Sequence, residues 1–335
     1  MPGTQRATTK GALVINKDTF PFSKALVTGG AGFIGSHIVE HLLDLGVETT
    51  SIDNYFAGKA ENLAHLKSNK NFHEVTCDIL DFDALDSLFR GVEVVFHNAA
   101  SKKTICLKDP RMDLEINAKG AFNLLELSLK HGVKKFVQAS TGSVYGEAQY
   151  RPQDEKHPLA PNSYYGVSKL AGERYVNVFN HLYGLNTTIL RYFHVYGPRQ
   201  ESSDVGGVVS IFARKLIEGK PVTIFGDGTQ QRSFTYVEDV VKANLLAAAS
   251  PVTNGEEYNC ASGLKITIKE LVEHLADILT VKNPIVEYKD WVPGDIKVFD
   301  IDNTKLREHT GIEFLTDFRA GLDKTVAWAR QYLKI

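Results

Sequence analysis

Two side chains open the case for chemistry. Tyr165 and Lys169 stand four apart in Tyr165-Gly166-Val167-Ser168-Lys169, inside a stretch patterned as a helix, so both face one side. An ammonium beside a phenol stabilises the phenolate and is expected to bring its pKa toward the working pH. Such a phenol can take a proton from an alcohol and return it. Ser140-Thr141-Gly142-Ser143 follows the β-rich run Phe136–Ala139. Hydroxyls at the C-terminal edge of a parallel strand face the ligand crevice, where Thr141 and Ser143 can donate to a substrate oxygen or relay its proton. Taken alone, each pattern has a plainer reading: a helix surface, and turn-forming polar residues.

A second motif makes the plainer reading poor. Ala25-Leu26-Val27-Thr28-Gly29-Gly30-Ala31-Gly32-Phe33-Ile34-Gly35-Ser36-His37 runs from an apolar strand through a glycine-rich turn into a helix. Gly29, Gly32 and Gly35 allow a tight turn and close backbone approach, and the free N–H groups of the helix start meet a pyrophosphate. Asp53 ends the next β-rich run, 18 residues past Gly35. A carboxylate there accepts from ribose hydroxyls and repels a 2′-phosphate, which favours NAD over NADP. Asn54 follows it rather than an arginine. Asp78-Ile79, after the third run, is placed to flank the adenine, with a cap or surface role as the alternative for Asp78.

The elements that must position these residues are legible as alternation. Short β-rich runs at 25–27, 49–52, 72–75, 94–96, 136–139 and 187–190 alternate with helical stretches near 33–45, 59–67, 81–89, 113–131 and 163–183. That order implies an α/β fold: a doubly wound parallel sheet with helices on both faces. Past residue 195 the pattern is irregular, with helices expected near 207–218, 236–249, 267–279 and 316–332 and one return to the sheet at Glu257–Cys260. With 335 residues, one large domain or two joined ones is expected. The formal net charge of -2 gives no basic field for nucleic acid or an anionic membrane. No apolar run is long enough to span a bilayer, and Ala12–Ile15 is too short for a signal-peptide core. The three cysteines are scattered, which points to idle thiols in a reducing cytoplasm, and the eleven histidines show no metal-ligand clustering.

From residue 24 onward the chain resembles the extended short-chain dehydrogenase/reductase family acting on nucleotide sugars, in particular the UDP-sugar 4-epimerases. The resemblance is carried by Thr28–Gly35, Phe96-His97-Asn98-Ala99-Ala100, Ser143-Val144-Tyr145-Gly146, Tyr165…Lys169, Arg191-Tyr192-Phe193 and Arg232-Ser233-Phe234-Thr235-Tyr236-Val237-Glu238-Asp239. It implies a polar arm over 1–23, an NAD-binding Rossmann domain over 24–195 with a return near 234–262, and a smaller mixed nucleotide-sugar domain over 196–335, interleaved at the junction. It implies Tyr165 as catalytic base, Lys169 as its tuner and ribose ligand, and Thr141 and Ser143 at the sugar. Around NAD it places Gly29, Gly32, Phe33, Ile34, Gly35, Asp53, Asn54, Asp78, Ile79, Ala99, Ala100, Asn117, Ser140 and Tyr192. Around the UDP-sugar it places Lys102, Phe193, His194, Val208, Val209, Asp295 and Phe299, with Arg232 on the diphosphate. A homodimer through the helices near 113–131 and 163–183 is also implied, with no metal.

The implied reaction is a transient oxidation at C4, with a 4-keto sugar that turns over and is reduced on its other face. Dehydratases of this family carry Asp-Glu after the catalytic threonine, where this chain has Gly142-Ser143. Decarboxylases usually carry glutamate at the Ser143 position. An NAD sensor without turnover would need none of Thr141, Tyr165 and Lys169. Gly197-Pro198-Arg199-Gln200 after Tyr196 resembles the branch acting on UDP-N-acetylglucosamine or UDP-glucuronate, and the polar arm resembles the N-acetyl-specific branch; bulky Phe299, at the family's gatekeeper position, points the other way. UDP-GlcNAc/UDP-GalNAc is therefore the first expected pair, ahead of UDP-glucose/UDP-galactose and UDP-glucuronate. Two departures are His194, where asparagine is usual, and Val292, where arginine is usual; Lys297 or Arg199 are candidates to replace that charge.

Overall fold

The computed structural model describes residues 15–101, 106–203, 206–291 and 296–334. In chain order the first elements are β1 Lys24–Thr28, α1 Phe33–Asp44, β2 Glu48–Asp53, β3 Phe72–Thr76, α2 Phe82–Asp86 and β4 Val94–His97. Next come α3 Pro110–Leu114, α4 Ala121–His131, β5 Lys135–Thr141, α5 Tyr164–Tyr183, β6 Thr187–Tyr192 and β7 Val195–Tyr196. The remainder is α6 Val208–Ile217, β8 Val222–Phe225, β9 Gln231–Arg232, β10 Thr235–Tyr236, α7 Val237–Ala249, β11 Glu256–Cys260, β12 Ile266–Thr267, α8 Ile268–Leu279, β13 Val286–Lys289, α9 Thr304–Thr310 and α10 Phe318–Leu333.

Seven strands form one parallel sheet in the order β11-β6-β5-β4-β1-β2-β3. Side-chain alternation along each strand divides the apolar residues between two layers. Ala25 and Val27 of β1, Val94 and Phe96 of β4, Val137 of β5 and Leu190 of β6 pack beneath α1 and α7. Leu26, Val95, Phe136 and Ile189 point the other way, into the layer of α2, α4 and α5. The run Glu257–Cys260 lies in β11, parallel to β6 at the sheet edge, so Tyr258 and Cys260 belong to the first core. A separate core gathers α6, α8 and α10 around Phe212, Phe234, Leu271, Leu275, Phe318 and Leu322. Strands β8 and β13 pair in parallel beside it.

The structure corrects several boundaries. The helix expected over 59–67 is two single 3₁₀ turns, Ala60–Asn62 and Ala64–Leu66. Asn62, in the first of them, is buried and donates its side-chain amide to the Ala31 carbonyl at 2.9 Å. The helix expected over 113–131 is broken by a π-helical segment, Glu115–Gly120, between α3 and α4. The described part of the polar arm is packed: Phe20 is buried in the first core and meets Phe22 edge-on. No described helix is long and apolar enough to cross a membrane.

Helix α5 shows how local sequence fixes the chemistry. Ser163 caps it, its hydroxyl accepting from the Gly166 N–H at 3.1 Å. Gly184, at φ +71°, ends it in the left-handed conformation. Its buried face carries Ser168, Lys169, Gly172, Glu173, Val176 and Phe179. Tyr165 and Lys169 therefore stand in the first turns of a well-anchored helix, against the C-terminal end of β5.

Candidate active site

A cleft of about 630 Å³ opens at the C-terminal ends of β1, β2, β4 and β5, where the strand order reverses between β1 and β4. The glycine turn forms its floor. Gly29 has φ +65°, and a Cβ there would lie 2.7 Å from the Ala99 nitrogen. A Cβ on Gly35 would lie 2.1 Å from the Gly29 carbonyl oxygen. Gly32 caps α1 with no side-chain hydrogen bond, so the N–H groups of the helix start are available to an anion.

Asp53 is buried at the end of β2, accepting from the Ala31 N–H at 3.0 Å and the Tyr55 N–H at 2.8 Å. Burial raises its pKa, and these two bonds oppose that shift. Asn54 donates to Asp78 at 2.8 Å, tying the ends of β2 and β3 together beneath the cleft. Gly29, Gly32, Phe33, Ile34, Gly35, Asp53, Asn54, Asp78, Ile79, Ala99, Ala100, Ser140, Tyr165, Lys169, Tyr192 and His194 all line it. Bare glycines, free helix N–H groups and one carboxylate fit the diphosphate and ribose of a dinucleotide.

Tyr165 and Lys169 reach the inner end of the cleft. The Tyr165 phenol is hydrogen-bonded by Thr141, which favours the phenolate, yet burial outweighs this and pushes its pKa up to about 12. The acidification expected from Lys169 is therefore absent from the folded chain by itself. Lys169 Nζ donates to the Ala139 carbonyl at 2.5 Å, and burial draws its own pKa down to about 8. Thr141 also accepts from the Ser143 N–H at 3.2 Å and contacts the Ser143 hydroxyl at 3.3 Å, so the two expected substrate hydroxyls form one unit. Tyr192 donates to Asn244 at 2.9 Å.

Other expected residues stand elsewhere. Asn117 lies in the π-helical segment, buried behind the cleft. It accepts from the Ser101 N–H at 3.0 Å and donates to Ser168 at 2.9 Å, so it braces the loop after β4 rather than facing a cofactor. The Val208 and Val209 side chains pack with the second core; only the backbone at the start of α6 faces the cleft, where Gly206 and Gly207 line it. Arg232 is buried away from the cleft lining, donating to the Ile296 carbonyl at 2.8 Å with its guanidinium 5.4 Å from the Phe299 ring centroid. Phe299 meets Phe193 at 6.1 Å and His194 at 4.7 Å, both edge-on, and His194 takes φ +38°. Lys102 and Asp295 lie outside the described residues.

Sequence reasoning missed the rim. Lys59 and Glu201 line the cleft from opposite loops and pair at 3.0 Å across it. Arg199, a candidate to replace the usual arginine, instead pairs with Glu40 of α1 at 2.5 Å. Lys59 had a weak signal, a basic residue in the glycine-containing loop after Asp53; Glu201 had none. Among the described residues no group of three metal-ligating side chains occurs.

Residues 25–261 match the NAD dependent epimerase/dehydratase family. A UDP-glucose 4-epimerase of Mycolicibacterium smegmatis is 36% identical over 312 residues, 92% of this chain and 98% of that protein. The structure is similar to that of a UDP-glucose 4-epimerase from Thermotoga maritima solved with UDP-glucose, with a TM-score of 0.87, 40% identity and coverage of 92% of this chain and 99% of the other. It is also similar to a UDP-N-acetylglucosamine 4-epimerase from Methanobrevibacter ruminantium in complex with UDP-N-acetylmuramic acid, at TM-score 0.87 and 35% identity, covering 93% of this chain and 99% of that one. Matched over most of its length by sequence and by structure, and carrying the cradle and the tyrosine–lysine pair described above, this chain belongs to the NAD dependent epimerase/dehydratase family.

Proposed function

We propose that this chain inverts C4 of a UDP-sugar, with UDP-glucose and UDP-galactose as the preferred pair. The observation that carries the reaction is that Tyr165 and Lys169 line a dinucleotide cleft with Thr141 hydrogen-bonded to the Tyr165 phenol. Bound NAD supplies a reversible hydride acceptor and a positive charge that favours phenolate. Tyr165 takes the proton of the C4 hydroxyl and later returns it. Thr141 holds the phenol oxygen and the substrate oxygen in one hydrogen-bonded line. Lys169, fixed by the Ala139 carbonyl, adds a cation beside them. Dehydration is disfavoured because a Cβ on Gly142 would lie 2.2 Å from the Phe193 ring, which leaves no room for an acidic side chain.

Phe299 orders the sugars. Its ring is buried against Phe193 and His194 with the Arg232 guanidinium 5.4 Å from its centre, a bulky residue at the position that the family resemblance makes the gatekeeper against a 2-acetamido group. This reverses the order expected from sequence, where Gly197-Pro198-Arg199-Gln200 was set above Phe299. Incubation of the purified protein with UDP-glucose, UDP-galactose, UDP-GlcNAc and UDP-GalNAc, without added NAD, tests both points. Interconversion of the first two at the higher rate is expected. Inertness toward all four with NAD bound would reject the reaction, and turnover of the acetylated pair alone would reject the sugar assignment.

We also infer a homodimer. Tyr164, Val167, Tyr175, Val178 and Leu182 form an exposed stripe at helical spacing along α5, flanked by Phe122 and Leu129 of α4. Replacing Val178 and Leu182 with lysine should halve the mass seen by light scattering; a native protein already monomeric at micromolar concentration would refute the inference.

A further inference from the structure

Behind the catalytic edge of the sheet lies a buried charge that the chemistry above does not use. Glu173 stands one turn beyond Lys169 on α5 and has no exposed surface. Its Oε1 accepts from the Ser140 hydroxyl at 2.5 Å and from Arg191 Nε at 3.0 Å. Its Oε2 accepts from Arg191 Nη2 at 2.8 Å. Arg191, on β6, is equally enclosed; its Nη1 donates to the Tyr145 hydroxyl at 2.8 Å, and that hydroxyl donates to Asn259 of β11 at 2.7 Å. One polar chain thus joins α5, β5, β6 and β11.

Stability alone gives poor reason for it, since a buried ion pair is often no better than a well-packed apolar pair. Its position gives a better one. Ser140 lies between Ala139, whose carbonyl receives Lys169, and Thr141, which touches the Tyr165 phenol. The charged and titratable groups around Lys169 are Tyr165 and Glu173 on its own helix, Asp113 on α3, His97 at the end of β4 and, behind Glu173, Arg191 on β6. Burial keeps His97 neutral, its pKa drawn down to about 3. Asp113 is held by Asn117 at 3.0 Å and Ser168 at 2.6 Å. Both Glu173 and Asp113 favour the ammonium of Lys169 against burial, and Glu173 is the larger influence.

We propose that Glu173 is a positioning residue for the epimerase reaction: its carboxylate, one helical turn from Lys169, ties the Ser140–Thr141 strand end to α5 and sets the charge behind that ammonium. This rests on the role given to Lys169 under Proposed function.

The test is the pH dependence of kcat for the NAD-loaded native protein, Glu173→Gln, Ser140→Ala and Lys169→Met. Removing the carboxylate makes the ammonium easier to deprotonate, so in Glu173→Gln the alkaline limb should move down by about one pH unit and kcat should fall about tenfold. Should Glu173→Gln fail to fold, because Arg191 is left unpaired, Ser140→Ala decides. It keeps the ion pair, and is expected to lose about fivefold in kcat with native KM and a melting temperature lowered only by the lost hydrogen bond to the carboxylate. An alkaline limb in folded Glu173→Gln that stays where the native protein has it overturns the proposal. So does native kcat in Ser140→Ala when Glu173→Gln does not fold. Near-native turnover by Lys169→Met would reject the role of Lys169 itself, whereas an inactive Lys169→Met with an unmoved limb in Glu173→Gln rejects only the role of Glu173.

Discussion

The ammonium of Lys169 lies 2.5 Å from the carbonyl oxygen of Ala139, the last apolar residue of β5 before Ser140 and Thr141. Helix and strand are pinned at the point where proton transfer is proposed. That pin fixes Tyr165, one turn earlier on the same helix, relative to Thr141, two residues later on the same strand.

Tyr165→Phe removes one hydroxyl and leaves the pin in place. Loss of about 10³-fold in turnover is expected, with cofactor content unchanged. The check is the epimerisation rate beside the NAD released on denaturation. A rate within a few-fold of native would take Tyr165 out of its assigned role.

Gly35→Ala places a methyl group 2.1 Å from the Gly29 carbonyl oxygen. The turn must open to admit it, at a cost of about 1–3 kcal/mol, and the helix start must shift under the diphosphate. Purified variant should carry little NAD and melt below the native protein. Full cofactor content would show that the turn has more slack than its packing indicates.

Phe299→Ser empties the space beside Phe193 and His194. It should raise the rate ratio of acetylated to non-acetylated substrates by about tenfold. Loss of a buried ring also destabilises by about 3 kcal/mol, so the assay belongs well below the melting point. An unchanged ratio would mean that the ring serves only the packing of Tyr145, Phe193 and Ile301.

Lys135 is buried at the start of β5, donating to Asn186 at 2.7 Å and Thr253 at 3.0 Å, with no carboxylate paired to it among the described residues. Burial draws its pKa down to about 7. Between pH 7 and the ordinary lysine range the unfolded chain holds a proton that the folded chain has released, so stability rises with pH there. Below pH 7 the full penalty of burying the charge applies and its pH dependence is flat. Denaturant unfolding from pH 7 to 8.5 should show a rise of about 1 kcal/mol per pH unit, relative to Lys135→Met. Equal slopes in the two proteins would contradict the assignment. Lys169, at about 8, adds to the rise in both.

The parallel sheet was legible because each of its first six strands holds a short run of β-branched or apolar residues set off by turns and helical stretches, and the glycine turn because its function demands bare backbone. The short strands β8 and β13 and helix α9 escaped notice. Each spans only a few residues and is held by partners distant in the chain, as with Val286 beside Val222. Asn117 was read as a ligand contact because its type and place fit one. The π-helical segment turns it toward Ser101 and Ser168 instead. Phe299 was legible as a bulky residue, but its surroundings were not: only the fold brings His194 and Arg232 against its ring. The Glu173–Arg191 pair had no signal at all: two charged residues on separate elements look like surface until the sheet buries them.

Strand β11 has a consequence for how the molecule assembles. It completes the sheet beside β6 only after the chain has travelled out through α6 and the short strands around it and returned along α7. During synthesis the β6 edge waits, unpaired, until residues near 260 emerge. Contacts so remote in sequence are slow to form, and the first core stays incomplete until Tyr258 and Cys260 dock into it.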